Sequence, residues 1–108
     1  MPQLIIKGLA IDKVKDISKV LVDDLQAIIG CPREYFTIEA VNSLFIMDGL
    51  QTKITPLVQV NWFDRGQEVQ DKAAAAIYRR IQDVGYNDVE IFFIVLEEKR
   101  YYENGVHY

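Results

Sequence analysis

The chain has 108 residues, twelve Lys and Arg against sixteen Asp and Glu, and a formal net charge of −4, which is the size of one domain with enough apolar residues to offset chain entropy. The acidic balance, with a pI near 4.9, argues against nucleic-acid binding, and the longest apolar runs, Ile91–Leu96 and Ala73–Tyr78, fall far short of the roughly 20 residues of a membrane-spanning helix. One cysteine, Cys31, and one histidine, His107, exclude an internal disulfide and argue against a zinc cluster, so a cytoplasmic, soluble domain with no metal or cofactor is expected.

Residues 2–7 read as a short strand. From Ile11 the apolar period becomes helical through Val14, Ile17, Leu21, Leu25 and Ile28, with Lys and Asp on the opposite side. Asp12 is the expected N-cap and Gly30 the expected residue after the helix. Pro32 opens a single helical turn through Tyr35. Residues 36–47 are β-branched and aromatic and read as a strand, ended by the turn pair Asp48-Gly49.

The pattern then repeats. Pro56 to Phe63 is strand-like, and Asp64 with Gln67 resembles a capping box. Val69, Ala73, Ala76, Ile77, Ile81 and Val84 mark a second amphipathic helix closed by Gly85. The run Ala73–Ala76 reads as a close-packing face. Residues 88–97 form a further strand, and Asn104-Gly105 is a second turn pair. Pro2 with Pro56, Gly30 with Gly85 and Gly49 with Gly105 correspond at an offset of about 55 residues. The expectation is an α+β single domain, 1–108, built from a tandem β-α-β repeat. Its halves are about 2–49 and 56–105, forming a four-stranded mixed sheet with two helices on one face.

The last strand carries Val89, Ile91, Phe93 and Val95 on one face and Phe92, Ile94 and Leu96 on the other. Two helices cover one face of a four-stranded sheet, so the second apolar face needs another cover. The simplest cover is a second copy of the chain. The aromatic tail Tyr101, Tyr102, His107 and Tyr108 is expected to pack on that neighbour.

This element order, with Pro2 at the start of strand one, resembles the tautomerase superfamily, whose members include 4-oxalocrotonate tautomerase and macrophage migration inhibitory factor. The passage Gly30-Cys31-Pro32-Arg33-Glu34-Tyr35 is the nearest local likeness to the latter. The segments Trp62-Phe63-Asp64-Arg65-Gly66-Gln67 and Tyr101-Tyr102-Glu103-Asn104-Gly105-Val106-His107-Tyr108 are similar to a small bacterial family of that fold, catalogued as a domain of unknown function.

The resemblance implies a homotrimer and a catalytic Pro2. Removal of Met1 would leave Pro2 as a secondary amine acting as general base on a small organic acid. Such an amine must be neutral near pH 7, which requires desolvation or a nearby positive charge. Arg33 or Arg65 can supply that charge and hold a substrate carboxylate. The substrate-binding arginine that 4-oxalocrotonate tautomerase carries on its second strand falls near Thr37 here, which is uncharged. Glu39 shares that strand face and can orient water or pair across a subunit boundary. Trp62, Phe63 and Arg65, where strand three meets helix two, suit a planar anion, and Tyr101 belongs to a tail within reach of a pocket. Cys31 after a helix C-terminus is a poor nucleophile.

Three functions fit these features. One is a trimeric tautomerase, the second a non-catalytic trimeric binding or scaffold module of the same fold. The third is a ferredoxin-like regulatory ligand-binding domain, which shares the element order.

Overall fold

A computed structural model describes residues 1–108. Strand β1 (Gln3–Lys7) leads into helix α1 (Ile11–Ile29), a one-turn 3-10 helix (Arg33–Tyr35) and strand β2 (Thr37–Val41). A small hairpin follows, β3 (Ile46–Met47) with β4 (Leu50–Gln51), and turns on Asp48-Gly49. The second unit repeats this plan with β5 (Leu57–Trp62), α2 (Gln67–Asp83) and β6 (Glu90–Val95). After a second 3-10 turn it ends in the hairpin β7 (Tyr102–Glu103) with β8 (Val106–His107).

The strand order is β2-β1-β5-β6. Each β-α-β unit pairs its own strands in parallel, and the two units meet in the antiparallel pair β1–β5. β1 and β2 are direct hydrogen-bonded neighbours. A ferredoxin-like sheet splits that pair with an intervening strand, so the ferredoxin-like alternative is excluded. The repeat extends to single bonds: Thr37 N–H donates to the Pro2 carbonyl at 3.2 Å, and Glu90 N–H donates to the Pro56 carbonyl at 3.0 Å.

Strand alternation sets the core. Leu4, Ile6, Val58, Val60 and Trp62 face the helices and are buried against Val14, Ile17, Leu21 and Leu25 of α1 and Ala73, Ile77 and Ile81 of α2. Arg80 of α2 donates from Nε and Nη2 to the Asp24 carboxylate of α1 at 2.6 and 3.1 Å, tying the helices together. Neither helix is long and apolar enough to cross a membrane.

Several local expectations are corrected. Asp12 is not the N-cap of α1: Ala10 is, without a side-chain bond, and Asp12 sits in the first turn, where its charge suits the helix dipole. Gly30 ends α1 in the left-handed conformation with its N–H on the Gln26 carbonyl, as expected. The Asp64–Gln67 capping box does not form. Gly66 is the N-cap, the Asp64 carboxylate accepts from Gly66 N–H, and Gln67 donates to Asp71. The strand expected over 36–47 stops at Val41, because its partner β1 stops at Lys7 and leaves nothing to pair with.

The outer sheet face is not uniformly apolar. Phe92 and Ile94 of β6 are exposed there, but in register with them stand Gln59, Asn61, Gln3, Thr37 and Glu39.

Candidate functional site at the N-terminal end of β1

Pro2 opens β1 with its ring fully buried. Extending the β1–β5 register by one residue sets Pro2 opposite Trp62. β5 ends there, and the turn at Asp64–Gly66, fixed by the Asp64–Gly66 bond at 2.8 Å, carries Arg65 toward the chain terminus. In this structure the terminal amine belongs to Met1. Burial holds that amine below its ordinary value; Cys31 opposes the shift, and the positive charge of Arg65 adds to it. The protonated form of the Met1 amine, one residue ahead of the Pro2 nitrogen, is therefore disfavoured at this corner.

An aromatic cluster stands beside this corner. The Phe63 ring lies 5.6 Å from Tyr101, edge-on, and 5.5 Å from Tyr108; Tyr101 and Tyr108 are 4.9 Å apart. Tyr108 N–H donates to the Tyr101 carbonyl at 3.0 Å. Its hydroxyl donates to Glu103 at 3.1 Å, and burial together with that carboxylate raises the phenol's pKa. Tyr101 and Tyr108 thus pack on Phe63 of their own chain, and Tyr108 keeps an exposed side. Tyr102 and His107 remain exposed.

Pro2, Phe63, Arg65 and Tyr101 are brought to one end of the sheet. Trp62 is not presented there as a ligand surface: its indole lies in the core, 4.9 Å from the Phe93 ring, with Nε1 buried and unpartnered. Thr37 and Glu39 are exposed on the outer face, opposite Gln3 and Ile5. Arg33 is engaged elsewhere. Its guanidinium donates to the Asp23 carboxylate and to the Lys19 carbonyl of α1, and bonds from Lys19 and Arg33 lower the Asp23 pKa. Three surface hollows occur at other places, one between α1 and α2 around Ala76 and two around Tyr86, and none is lined by Pro2.

Sequence reasoning passed over a line of amides on the outer face. Gln59 Nε2 donates to Asn61 Oδ1 at 2.9 Å. Asn61 Nδ2 donates to Gln3 Oε1 at a longer 3.4 Å, and Gln3 Nε2 donates to the Tyr101 hydroxyl at 2.9 Å. The signal was present: amides at 59 and 61 alternate with buried Val58, Val60 and Trp62, so they share the face opposite the core.

The chain matches the model of a family described as a domain of unknown function, DUF1904, over residues 1–107. It is similar to the crystal structure of a DUF1904 domain from Sebaldella termitidis, with 38% identity, a TM-score of 0.93 and both chains covered in full. A macrophage migration inhibitory factor-like protein from Entamoeba histolytica superposes with a TM-score of 0.77 at 13% identity, over 99% of this chain and 98% of that one. The fused 4-OT wild-type asymmetric trimer superposes with a TM-score of 0.83 at 14% identity, over 97% and 94%. No curated protein matches the sequence. At those lower identities the likeness is one of fold, and it is the tautomerase fold that the resemblance implied. The chain belongs to the DUF1904 family of domains of unknown function and has the tautomerase fold.

Proposed function

We propose that the protein is a homotrimeric, cytoplasmic enzyme that interconverts enol and keto forms of a small organic acid, with the Pro2 amine as general base once Met1 is removed. The observation that carries this is the corner itself: Pro2 is buried at the start of β1, and burial, opposed by Cys31 and aided by Arg65, lowers the pKa of the Met1 amine one residue ahead of it. In the enol-to-keto direction the neutral amine takes the enol hydroxyl proton. The resulting ammonium returns a proton to the carbon as the carbonyl forms, so the reaction is an isomerisation with no net proton change. Arg65 holds the substrate carboxylate, and Phe63 and Tyr101 offer aromatic surface to a planar acid. Thr37 and Glu39 lie one and two rows along the outer face, where they reach only an elongated substrate. Arg33 and Trp62 contribute through the fold, given their partners. Self-association is supported by the exposed Phe92 and Ile94 and by the trimeric form of a fused 4-OT of like fold.

The buried Pro2 ring and the absence of a hollow beside it in one chain favour a second reading, a non-catalytic trimeric binding or scaffold module. One experiment separates the two. Untagged protein, shown by intact mass to lack Met1, is assayed with phenylenolpyruvate and 2-hydroxymuconate beside Pro2→Ala. The catalytic reading expects turnover that falls about 10²–10⁴-fold in the variant, the usual contribution of a general base. No turnover above buffer, equal turnover in both proteins, or a mass that retains Met1 would leave the binding module.

A further inference from the structure

We propose that Gln3 is a positioning residue that holds the Tyr101 phenol as a hydrogen-bond donor to the enol or keto oxygen of the ligand; this rests on the small organic acid binding at the Pro2 corner. Gln3 Nε2 donates to the Tyr101 hydroxyl oxygen at 2.9 Å. A phenol whose oxygen already accepts one bond has its own hydrogen directed elsewhere. No protein acceptor takes that hydrogen. The ring neighbours are Phe63, which has no acceptor, and Tyr108, which gives its own hydroxyl hydrogen to Glu103 and takes no bond from Tyr101.

The orientation of the Gln3 amide is itself fixed from behind. Its Oε1 accepts from Asn61, and the Asn61 Oδ1 accepts from Gln59. Three amides in line therefore set the direction of the last bond, each polarising the next. Gln3 stands one residue from Pro2, and Tyr101 packs against Phe63, two residues before Arg65. The phenol thus stands at the same end of the sheet as Pro2 and Arg65. A ligand held by its carboxylate at Arg65 would present its neighbouring oxygen to that donor, and the donor strengthens as negative charge builds on the oxygen.

The test compares two probes of one skeleton: phenylpyruvate, which has the oxygen, and 3-phenylpropionate, which lacks it. Binding of each is measured by calorimetry to wild-type protein without Met1, Gln3→Glu, Gln3→Met and Tyr101→Phe. Thermal unfolding confirms that each variant is folded. A Glu carboxylate only accepts, so it captures the phenol hydrogen; Met frees the phenol from its partner. Wild type is expected to prefer phenylpyruvate by about five- to tenfold, the value of one hydrogen bond. All three variants should abolish that preference, read in each protein as the ratio of its affinities for the two probes, so that any effect common to both carboxylates cancels. Gln3→Glu combined with Tyr101→Phe should behave as Tyr101→Phe alone.

A preference that survives Gln3→Glu means that the phenol already donates to residue 3, and it overturns the proposal. A preference that survives Tyr101→Phe overturns it as well, as does wild-type protein that shows no preference or binds neither probe. No turnover above buffer, or equal turnover in wild type and Pro2→Ala, with the probe preference intact, would remove proline chemistry and leave this arrangement standing. The reverse pattern would remove this arrangement alone.

Discussion

Arg65 acts at a distance on the Met1 amine, after burial and Cys31 in size, and the sign of its effect would be the same on a Pro2 amine one residue along. A positive charge beside an amine disfavours the ammonium form, as burial does at the same corner. Activity that needs the neutral amine must therefore fall as pH drops through the amine's pKa. In Arg65→Ala that pKa rises, so the acid limb of the kcat/KM profile moves to higher pH, and KM for a carboxylate substrate increases. A pH–rate profile of the two proteins checks both effects; an unmoved acid limb would dissociate Arg65 from the base. The sequence offered Arg33 and Arg65 as equals. What separates them is the folded position of Asp23, which occupies Arg33, and no local pattern encodes a partner ten residues away on another element. Trp62 and Phe63 were likewise paired in the sequence. Strand alternation sends Trp62 inward and leaves Phe63 at the strand end, half-buried beside Tyr101.

At the level of elements, the helices and their terminal glycines were legible because helical period and the left-handed position after α1 are local properties. Strand length was not, because a strand lasts only as long as its partner. β2 stops where β1 runs out, although the sequence keeps its β-rich composition to Met47. The exit from β1 has its own constraint. Gly8 has φ +81°, and a Cβ there would stand 2.6 Å from Ile54 Cγ2 and 3.2 Å from the Thr55 carbonyl oxygen. Gly30, at φ +82°, has open space around it. Gly30→Ala is expected to cost about 1 kcal/mol for the backbone conformation alone. Gly8→Ala adds a contact with the chain that leads into β5, and should cost roughly 2–3 kcal/mol. Chemical denaturation of both variants measures the difference; equal losses would mean that the Ile54 segment moves aside freely. In the core, Leu21→Ala and Ile77→Ala should each lose about 2–5 kcal/mol, as buried truncations do, seen as lower denaturation midpoints.

On the scale of the whole molecule, apolar surface concentrates in three places. One is the outer face of β6, with Phe92 and Ile94; another is the β3–β4 hairpin and its approach, where Leu44, Ile46, Met47 and Leu50 are each at least 64% exposed; the third is the β7–β8 hairpin, with Tyr102 and Val106. Such patches mark contact surfaces, and the proposed trimer would cover them. Ile94→Glu places a charge on the outer face, and sedimentation should then show the protein as monomer where wild type is trimer. A wild-type monomer would contradict the proposed assembly directly. The β-α-β duplication was readable from repeated landmarks, whereas the amide line across the outer face emerged only when the register joined Gln3 to Asn61. The matched bonds at Pro2 and Pro56 give the molecule two corners of one design. Its two corners are equivalent in backbone, yet a continuous polypeptide has only one beginning, so only one corner can own a free amine. The other, around Pro56, is lined by Lys53, Tyr86 and Asp88 and carries different chemistry. Two half-length polypeptides, the second opening at Pro56, would begin with proline at both corners, and any extension ahead of Pro2 would leave neither corner of the intact chain with one.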